Sequence, residues 1–592
     1  MCGIVGYIGD QPENVLINNL QKLEYRGYDS AGIAVRADEE IKIFKAKGEI
    51  KNLRGIVKVS KNAHIGIGHT RWATHGKPDV INAHPHVSEN GKWAVVHNGI
   101  IENYAQIKKD LCKNGVSFTS DTDSETIAAL LEFYDKGDCL AAIGKTLAAI
   151  NGSYALAIMS SRSDGLFFAK NKSPLFVAEN DGKIMIASDI ICFEGFKDSY
   201  YVLEDGEYGY ADKNGVAIFD KFGRKEKETV RLERFISGKE NNFNHYMLKE
   251  IYETDAAIKN ICEYYSEENN VKNVTGRDFL AIKKVRLIGC GTAYHAALMG
   301  AEMIEKETDF DCAACVASEF RYKNPKIGKD TLIILISQSG ETADTLAALE
   351  LAKQKGALTV AVVNVEYSTL AKNADMVLPI KAGVEIGVAS TKAYSAQICV
   401  LYLLGLMLKS AVTGCDFSTI QAERLYKNFD YGNVNNLKLL ANVFQYNDKL
   451  FMIGRGRDYF TALEAGLKIK ETAYINADTY YAGELKHGFL ALVEPNTYVI
   501  VFATEKELLN KTLCNAEEAR ARGARIILFT CFDLDDSVTE KFYYVIKVKD
   551  ENSPLQGVIN IIPWQIIAYY TSVNKGINPD KPRNLAKSVT VE

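Results

Sequence analysis

The sequence predicts a multidomain protein, in which an α+β domain precedes two copies of an α/β unit built on a doubly wound parallel sheet. Three observations support this prediction. The chain has 592 residues, which is too many for one hydrophobic core. Short strand-like runs dominate its first part, whereas strands alternate with helical segments in the rest. A glycine-containing segment also occurs twice in that second part.

The first domain is predicted from alternating and β-branched runs that glycine and asparagine interrupt. Two helical segments, at residues 15–23 and 124–134, break this pattern. Strands packed with flanking helices indicate a layered α+β domain, which we place at residues 2–237. The strand-like runs that define it are residues 41–44, 93–97, 154–160 and 183–187.

The second part contains an internal repeat. Residues 287–294, LIGCGTAY, are echoed by MIGRGRDY at residues 452–459, and Gly356 has a counterpart in Gly523. Both glycine segments lack the third glycine of GxGxxG, which argues against a dinucleotide cofactor. A charged stretch at 221–239 is predicted to be a surface linker. The boundaries that follow are a linker at 238–250, α/β units at 251–430 and 431–575, and a tail at 576–592.

Composition excludes several classes of function. A net charge of -5 gives no basic field for nucleic acid or anionic lipid. The 12 cysteines are scattered through a long chain and do not form the disulfide framework of a small secreted domain, so we expect reduced thiols in a cytoplasmic enzyme. The start of the chain lacks the pattern of a signal peptide. The most apolar stretch, residues 396–408, is too short for a membrane span and is predicted to be a buried helix.

Cys2 is the candidate nucleophile of the first domain. Removal of Met1 would leave a thiol and a free α-amine on one residue. The pKa of such an amine is about 7.7 to 8.0, so part of it can accept the thiol proton at neutral pH. The alternative is that Cys2 is an inert core cysteine of the first strand.

Three polar clusters, at residues 25–30, 68–76 and 97–99, accompany Cys2. Each has a simpler explanation. Asn98-Gly99 is typical of a hairpin turn, and Arg71 beside Trp72 could be a stacked surface pair. Six histidines between residues 64 and 97 suggest zinc, but their spacing fits no zinc motif, so we predict no metal.

With Cys2-Gly3-Ile4 at the start, these clusters resemble the N-terminal-nucleophile glutaminase domain of class II glutamine amidotransferases, which implies an αββα fold. The resemblance implies that Cys2 attacks the glutamine side-chain amide, while Asn98 and the Gly99 N–H form the oxyanion hole. Arg71 would bind the glutamine α-carboxylate and Asp123 its α-ammonium group. The remaining implied glutamine-site residues are Trp72, which would gate the exit of ammonia, Thr74 and His75.

The second part has a candidate phosphate site. After the apolar run 331–336 comes Ser337-Gln338-Ser339-Gly340-Glu341-Thr342, where free N–H groups and a following helix favour an anion. The alternative is ordinary helix capping by Ser339 or Thr342. Glu464, Lys468 and Glu471 share one face of a predicted helix, a stripe that is usually solvated. Chain ends are generally mobile, so the simplest expectation for the C-terminal residues is a frayed tail.

Together, these elements resemble the isomerizing glutamine–fructose-6-phosphate aminotransferase family over the whole chain, including its two sugar isomerase (SIS) domains. The resemblance implies an aminotransferase that makes glutamate and glucosamine 6-phosphate from glutamine and fructose 6-phosphate. Ammonia would pass internally from Cys2 to the sugar, without a cofactor, in the first step of the hexosamine and UDP-N-acetylglucosamine pathway. The sugar-phosphate residues implied are Ser337, Gln338, Ser339, Thr342, Thr292, Val388, Ser390, Lys468 and Ala586.

The resemblance also assigns catalytic roles. Glu471 would move a proton between C1 and C2, and Lys587 would form a Schiff base with the C2 carbonyl, which requires an ordered tail. His487, donated by the neighbouring subunit of a homodimer, would open the sugar ring. Three departures from the family pattern are Ala293 in place of serine, Phe489 in place of proline, and Glu253-Thr254-Asp255 in place of Glu-Gln-Pro, to which we attach no functional meaning. Two alternatives are another amidotransferase, whose ATP or phosphoribosyl motifs are missing, and a non-catalytic sugar-phosphate sensor, which would need neither Cys2 nor Lys587.

Overall fold

The structure, a computed structural model, describes residues 2–72, 76–231 and 243–590. The chain divides into two compact units, residues 1–237 together with 586–592, and residues 238–585.

The N-terminal unit contains two antiparallel sheets. In the described residues, their orders are β15-β11-β9-β10-β1-β4-β2-β3 and β14-β13-β12-β8-β7-β6-β5. The strands are β1 (Gly3–Ile8), β2 (Ser30–Ala37), β3 (Glu40–Lys47), β4 (Ala63–Arg71), β5 (His86–Val87), β6 (Trp93–Ile101), β7 (Gly152–Ser160), β8 (Leu166–Asn171), β9 (Phe176–Asn180), β10 (Lys183–Ala187), β11 (Ser199–Val202), β12 (Tyr208–Asp212), β13 (Gly215–Asp220), β14 (Gly223–Lys225) and β15 (Val230–Arg231).

Helices cover the outer face of each sheet. Alternate residues of β1 enter two cores, because Ile4 packs in a cluster with Val96 of the second sheet whereas Val5 packs with Leu16. On the far side, Ile127 packs with Val95. The order of layers is therefore αββα, which confirms the predicted layered α+β domain. The helices are α1 (Pro12–Lys22), α2 (Ile50–Arg54), α3 (Tyr104–Lys113), α4 (Glu125–Tyr134) and α5 (Cys139–Ala149).

Two sequence-based predictions for this unit were incomplete. The sequence indicated two helical segments, but α2, α3 and α5 are helices as well. The stretch 221–239 was expected to be a linker, yet its described part contains β14 and β15. These are short edge strands, where charged side chains are common because they discourage further strand pairing. Residues 238–242 of the predicted linker lie outside the described residues.

The C-terminal unit contains two five-stranded parallel sheets of the same topology. Their orders are β17-β16-β18-β19-β20 and β22-β21-β23-β24-β25, and every pairing is parallel. The strands are β16 (Lys284–Gly289), β17 (Asp311–Val316), β18 (Thr331–Ser337), β19 (Leu358–Val363), β20 (Met376–Pro379), β21 (Lys449–Gly454), β22 (Asn476–Tyr481), β23 (Tyr498–Ala503), β24 (Arg525–Thr530) and β25 (Tyr544–Lys547).

Helices connect these strands and complete the predicted doubly wound units. One large hydrophobic cluster includes core residues of both sheets, such as Leu287 and Met452, so the two copies share a core. The helices are α6 (Tyr246–Ile251), α7 (Thr254–Tyr265), α8 (Glu268–Thr275), α9 (Thr292–Glu307), α10 (Ala317–Phe320), α11 (Ala343–Gln354), α12 (Thr369–Asn373), α13 (Lys392–Thr413), α14 (Ile420–Lys427), α15 (Val434–Phe444), α16 (Arg457–Ala473), α17 (Leu509–Arg520), α18 (Asp536–Thr539) and α19 (Gln556–Asn574).

The internal repeat extends to backbone angles. Gly291 and Gly456, which precede α9 and α16, have φ/ψ of 54/-125° and 54/-134°. Both glycines have the positive φ that side chains disfavour. The repeat read from the sequence therefore reflects two copies of one structural unit.

Helix α13 contains the most apolar stretch of the chain. Among the described residues, it is long and apolar enough to cross a membrane. Residues 392–405 are, however, all buried within the C-terminal unit. The prediction of a buried helix at 396–408 is confirmed.

Candidate active sites

Cys2 lies directly before β1, which is an inner strand of its sheet. The backbone N–H of Trp72 donates to Cys2 Sγ at 3.1 Å, and the Gly3 N–H donates to Thr70 Oγ1 at 3.1 Å. A side chain at Gly3 would meet Thr70 Oγ1 at 2.6 Å, so the chain next to Cys2 needs glycine. Burial raises the pKa of the Cys2 thiol, while the Trp72 hydrogen bond and the Arg71 charge oppose the rise. A base is therefore needed to form the thiolate.

Asn98 faces Cys2 from β6 of the other sheet. Its side-chain Nδ2 donates to the Cys2 carbonyl oxygen at 2.9 Å, and its Oδ1 lies 3.0 Å from Nε2 of His69. That same Nε2 lies 3.0 Å from the carbonyl oxygen of His97. Because a carbonyl oxygen only accepts hydrogen bonds, His69 Nε2 must carry the proton. His69 therefore fixes the amide of Asn98 with its NH₂ group toward Cys2.

The conformation of Gly99 also requires glycine. Its φ is +134°, and a Cβ atom would overlap the carbonyl oxygen of Ser153. Asn98 and Gly99 lie within β6, paired with Ala155 and Tyr154 of β7. The alternative of a hairpin turn at Asn98-Gly99 was therefore wrong.

Arg71 and Asp123 are buried charged residues at this site. Arg71 is 3% exposed and donates to the carbonyl oxygens of Gly76 and Lys77 at 3.1 and 3.3 Å. The alternative of a surface pair with Trp72 was therefore wrong. Asp123 is 4% exposed and accepts the Ile101 N–H at 2.8 Å. Burial lowers the pKa of Arg71, and the charge of Asp123 is one of those that oppose this effect.

Other predicted residues of this unit are partly accounted for. Trp72 packs edge-on against Tyr28, with ring centroids 5.9 Å apart. Thr74 and His75 lie outside the described residues. Within the described part of the chain, no group of three or more His, Cys, Asp or Glu side chains could hold a metal ion. His69 was not assigned a role from sequence, although it lies in the second polar cluster.

In the C-terminal unit, Ser337 ends β18 and begins a tight loop. Its Oγ accepts the Gly340 N–H at 3.0 Å and lies 3.1 Å from Thr342 Oγ1. The Ser339 hydroxyl accepts the Glu341 N–H at 3.2 Å. The loop thus brings together the hydroxyls that were predicted to bind phosphate, directly before helix α11.

Gly340 allows this loop to close. Its φ is +65°, and a Cβ atom there would overlap the hydroxyl of Ser368. The alternative of helix capping was wrong for Thr342, which is the N-cap residue of α11 but makes no side-chain capping bond. The carbonyl oxygen of Gln338 accepts the Asn364 N–H at 3.2 Å, which ties the loop to the end of β19.

A polar turn at residues 385–391 precedes α13 and contains two of the predicted sugar-phosphate residues, Val388 and Ser390. Glu385, 4% exposed, accepts the Ser390 hydroxyl at 2.6 Å and the Thr391 N–H at 2.9 Å. The N–H of Val388 donates to the carbonyl oxygen of Asp580 at 3.2 Å. Ser390 and Val388 are therefore held in place by hydrogen bonds at the carboxyl side of the first sheet.

The charged stripe on α16 is buried rather than solvated. The side chains of Glu464 and Lys468 are 0% exposed, and that of Glu471 is 21% exposed. Lys468 Nζ lies 2.6 Å from Glu471 Oε2 and 3.0 Å from Thr292 Oγ1, which belongs to the first copy. The two carboxylates raise the pKa of Lys468, although burial alone would lower it. The expectation of a surface stripe was wrong, because the first copy covers this face.

His487 is exposed at the end of a 3₁₀ helix, Ala482–His487. The next turn is anchored by Phe489, 3% exposed, whose ring lies 4.8 Å from that of Phe451. Ala586 and Lys587 are half-buried, and the residues from 586 onward group with the N-terminal unit. The role of the tail at the sugar site stays a prediction.

Comparisons with known proteins agree with this architecture. A glutamine amidotransferase domain model matches residues 69–195, and an SIS domain model matches residues 279–407 and 444–575. A glutamine–fructose-6-phosphate aminotransferase (isomerizing) from Caldanaerobacter subterraneus subsp. tengcongensis is 44% identical over the full length of both chains. The chain belongs to the glutamine–fructose-6-phosphate aminotransferase family.

Further relatives support the family assignment. The enzyme of the same name from Clostridium tetani is 42% identical, again over all of both chains. Among solved structures, the C-terminal domain of the Francisella tularensis glucosamine-fructose-6-phosphate aminotransferase is 32% identical, with a TM-score of 0.52. It covers 58% of this chain and 100% of that chain. The two halves of this family member are therefore a glutaminase domain and a pair of SIS domains.

Proposed function

We propose that the chain converts L-glutamine and D-fructose 6-phosphate to L-glutamate and D-glucosamine 6-phosphate. The observation that carries this proposal is the presence, in one chain, of the Cys2–Asn98 arrangement, of the hydroxyl loop at Ser337–Thr342 and of the Lys468–Glu471 pair. A glutaminase supplies ammonia, and the SIS domains supply the sugar-phosphate site and the isomerisation chemistry. Full-length relatives of the same name support this combination.

Glutamine hydrolysis would start at Cys2. With Met1 removed, the α-amine of Cys2 takes the thiol proton and the thiolate attacks the side-chain amide carbon. The oxyanion that forms accepts hydrogen bonds from Asn98 Nδ2 and the Gly99 N–H. Collapse of this intermediate releases ammonia, and water then frees glutamate from the thioester. Arg71 and Asp123 hold the two ends of the amino acid group by opposite charge.

The sugar half would begin with phosphate binding. Ser337, Gln338, Ser339 and Thr342 hold the phosphate, and the N-terminus of α11 favours its charge. Remaining sugar contacts come from Thr292, Val388, Ser390, Lys468 and Ala586. His487 of a neighbouring subunit opens the ring, which makes the homodimer the functional unit. Lys587 forms a Schiff base at C2 with loss of water.

Ammonia would then replace Lys587 at C2. It reaches the sugar internally, past Trp72, and attacks the Schiff base, so that the lysine leaves as an amine. Glu471 removes the proton from C1 and returns it to C2, which converts the ketose imine to the aldose amine. The water released in forming the Schiff base balances the water used at Cys2. The scheme needs no metal, nucleotide or redox cofactor. All twelve cysteines are free thiols, which fits a cytoplasmic location.

The first test measures both products in one assay. Glutamate and glucosamine 6-phosphate are quantified from glutamine with and without fructose 6-phosphate. Equal amounts of both are expected when the sugar is present, and neither from Cys2→Ala. Cys112→Ala, which removes an exposed thiol of the same unit, is the matched control and should behave as wild type. Glutamate without aminosugar would contradict the assignment of the acceptor.

A second test separates an enzyme from a sugar-phosphate sensor and examines the homodimer. Truncation after Pro582 should abolish product formation, whereas a sensor would bind fructose 6-phosphate unchanged. Mixed dimers of His487→Ala and Glu471→Gln subunits should regain activity if the histidine acts in the neighbouring site, because one intact site then forms. Failure of the mixture to exceed either parent would contradict the donation of His487.

A further inference from the structure

One partly buried histidine of the C-terminal unit, His295, has no task in the scheme above. His295 lies one helical turn after Thr292 on α9, so both side chains lie on one face of the helix. Its Nδ1 is 2.7 Å from Oε2 of Glu464, which lies on α16 of the second copy. The two side chains are 12% and 0% exposed. This pair therefore connects the two copies in a place with little water.

Glu464 also contacts Lys468, so it links His295 to that lysine. Its other oxygen, Oε1, accepts the Thr292 hydroxyl at 3.0 Å and lies 3.3 Å from Lys468 Nζ. The same ammonium lies 2.6 Å from Glu471 Oε2. The titratable and charged groups that face Glu464 are therefore His295 on α9, Lys468 on α16 and, by its electrostatic influence, Tyr394 on α13.

The position of the shared ammonium depends on what else each carboxylate binds. Glu464 accepts hydrogen bonds from His295 and Thr292, which compensate part of its negative charge. The Lys468 ammonium therefore lies nearer to Glu471 than to Glu464. Loss of the His295 donor would leave a fully buried carboxylate oxygen unpaired. The nearest cation able to compensate is Lys468, which would move away from Glu471.

We propose that His295 is a positioning residue for the isomerisation: by binding Glu464, it keeps the Lys468 ammonium on Glu471 and so fixes the carboxylate that serves the sugar. This inference rests on the proposed role of Glu471. It extends the site by one residue pair that spans the two SIS copies.

The test compares substitutions that keep or remove the donor. His295→Asn places an amide N–H near the Nδ1 position, whereas His295→Phe keeps the ring shape without a donor. We expect His295→Phe to lower kcat for glucosamine 6-phosphate about 10- to 100-fold with little change in the KM for fructose 6-phosphate. The acid limb of its pH–rate profile should move to higher pH, since Glu471 loses its ammonium partner. His295→Asn should restore both the rate and the profile.

Two further variants make the result decisive. In His295→Gln the amide lies nearer the Nε2 position and cannot replace the Nδ1 donor. This variant should therefore show the same decrease in kcat as His295→Phe. An equal loss with an unshifted profile in all three His295 variants would overturn the inference and leave a structural role only. Full isomerisation by Glu471→Gln would instead contradict the proposed function itself.

Discussion

Replacing Asn98 with alanine probes the glutaminase site with little disturbance of the fold. The substitution removes one hydrogen bond to the Cys2 carbonyl oxygen and one from His69 Nε2. The His69 N–H keeps a second acceptor, the carbonyl oxygen of His97 at 3.0 Å. No buried donor is orphaned, so the folding cost should be about 1 kcal/mol.

The expected catalytic cost is much larger than the folding cost. Loss of one oxyanion donor costs about 2.7–4 kcal/mol in the transition state, which lowers kcat about 10²- to 10³-fold. The KM for glutamine should change little, because Arg71 and Asp123 remain. The measurement is glutamate formation at saturating fructose 6-phosphate, together with thermal unfolding.

A matched control isolates chemistry from stability. Asn103 also makes two side-chain hydrogen bonds in this unit, to the Ala149 carbonyl oxygen at 2.9 Å and from the Asn151 N–H at 2.8 Å. Asn103→Ala should lower stability by a similar or larger amount and leave kcat unchanged. The reasoning is refuted if Asn98→Ala keeps kcat within about threefold of wild type, or if only KM changes.

Gly340→Ala should raise the KM for fructose 6-phosphate, because a Cβ at φ +65° would overlap the Ser368 hydroxyl and distort the phosphate loop. The control for backbone strain alone is Gly356→Ala, at φ +73°, where the nearest atom to the Cβ position is Lys329 Cγ at 4.0 Å and no overlap arises. Acid should destabilise the N-terminal unit, because burial holds the pKa of His69, His84, His86 and His97 below the usual value, that of His69 at about 3. The unfolded chain then binds more protons below pH about 6.5, so stability present above that pH falls by about 1.4 kcal/mol per pH unit for each histidine as the pH drops. Unfolding followed from pH 7 to pH 5 should show a flatter dependence of stability on pH for His84→Phe than for the wild type, and equal slopes for the two proteins would contradict this.

Local sequence signals were sufficient for much of the fold. Runs such as residues 183–187 became strands because β-branched and apolar residues suit a pleated, buried surface. The repeat of two glycine segments predicted the two parallel sheets, since each glycine allows a positive φ where a strand meets a helix. Helix α3 was missed because its apolar contacts, Ile107 and Leu111, make only a narrow stripe among polar residues.

The candidate sites were predicted less completely, because their geometry comes from contacts distant in sequence. Asn98-Gly99 was ambiguous by sequence, since the same dipeptide forms turns, and its place in β6 depends on pairing with β7. His69 could be recognised as part of a polar cluster. Its task of orienting Asn98 could be recognised only from the structure, because it depends on the His97 carbonyl oxygen and Asn98 Oδ1, which both belong to a different strand.

The stripe on α16 shows most clearly what sequence periodicity leaves open. A spacing of three and four residues predicts that Glu464, Lys468 and Glu471 share a face, but not what covers that face. Thr292, which covers it, is 176 residues from Lys468 along the chain. Burial makes these charges depend on one another, because a lysine that is fully removed from water must be paired. Burial alone would lower the pKa of Lys468, but its carboxylate partners raise it.

Phe489 illustrates how a departure from a family pattern can keep a similar result by another physical route. A proline after His-Gly would restrict the backbone directly through its fixed φ. Here the phenylalanine ring is buried between Phe451 and Tyr480, with centroids 4.8 and 5.0 Å away, and it fixes the same turn by packing. Gly488, at φ +140°, provides the reversal between the anchored ring and His487. The exposed histidine is therefore held from one side by a hydrophobic anchor.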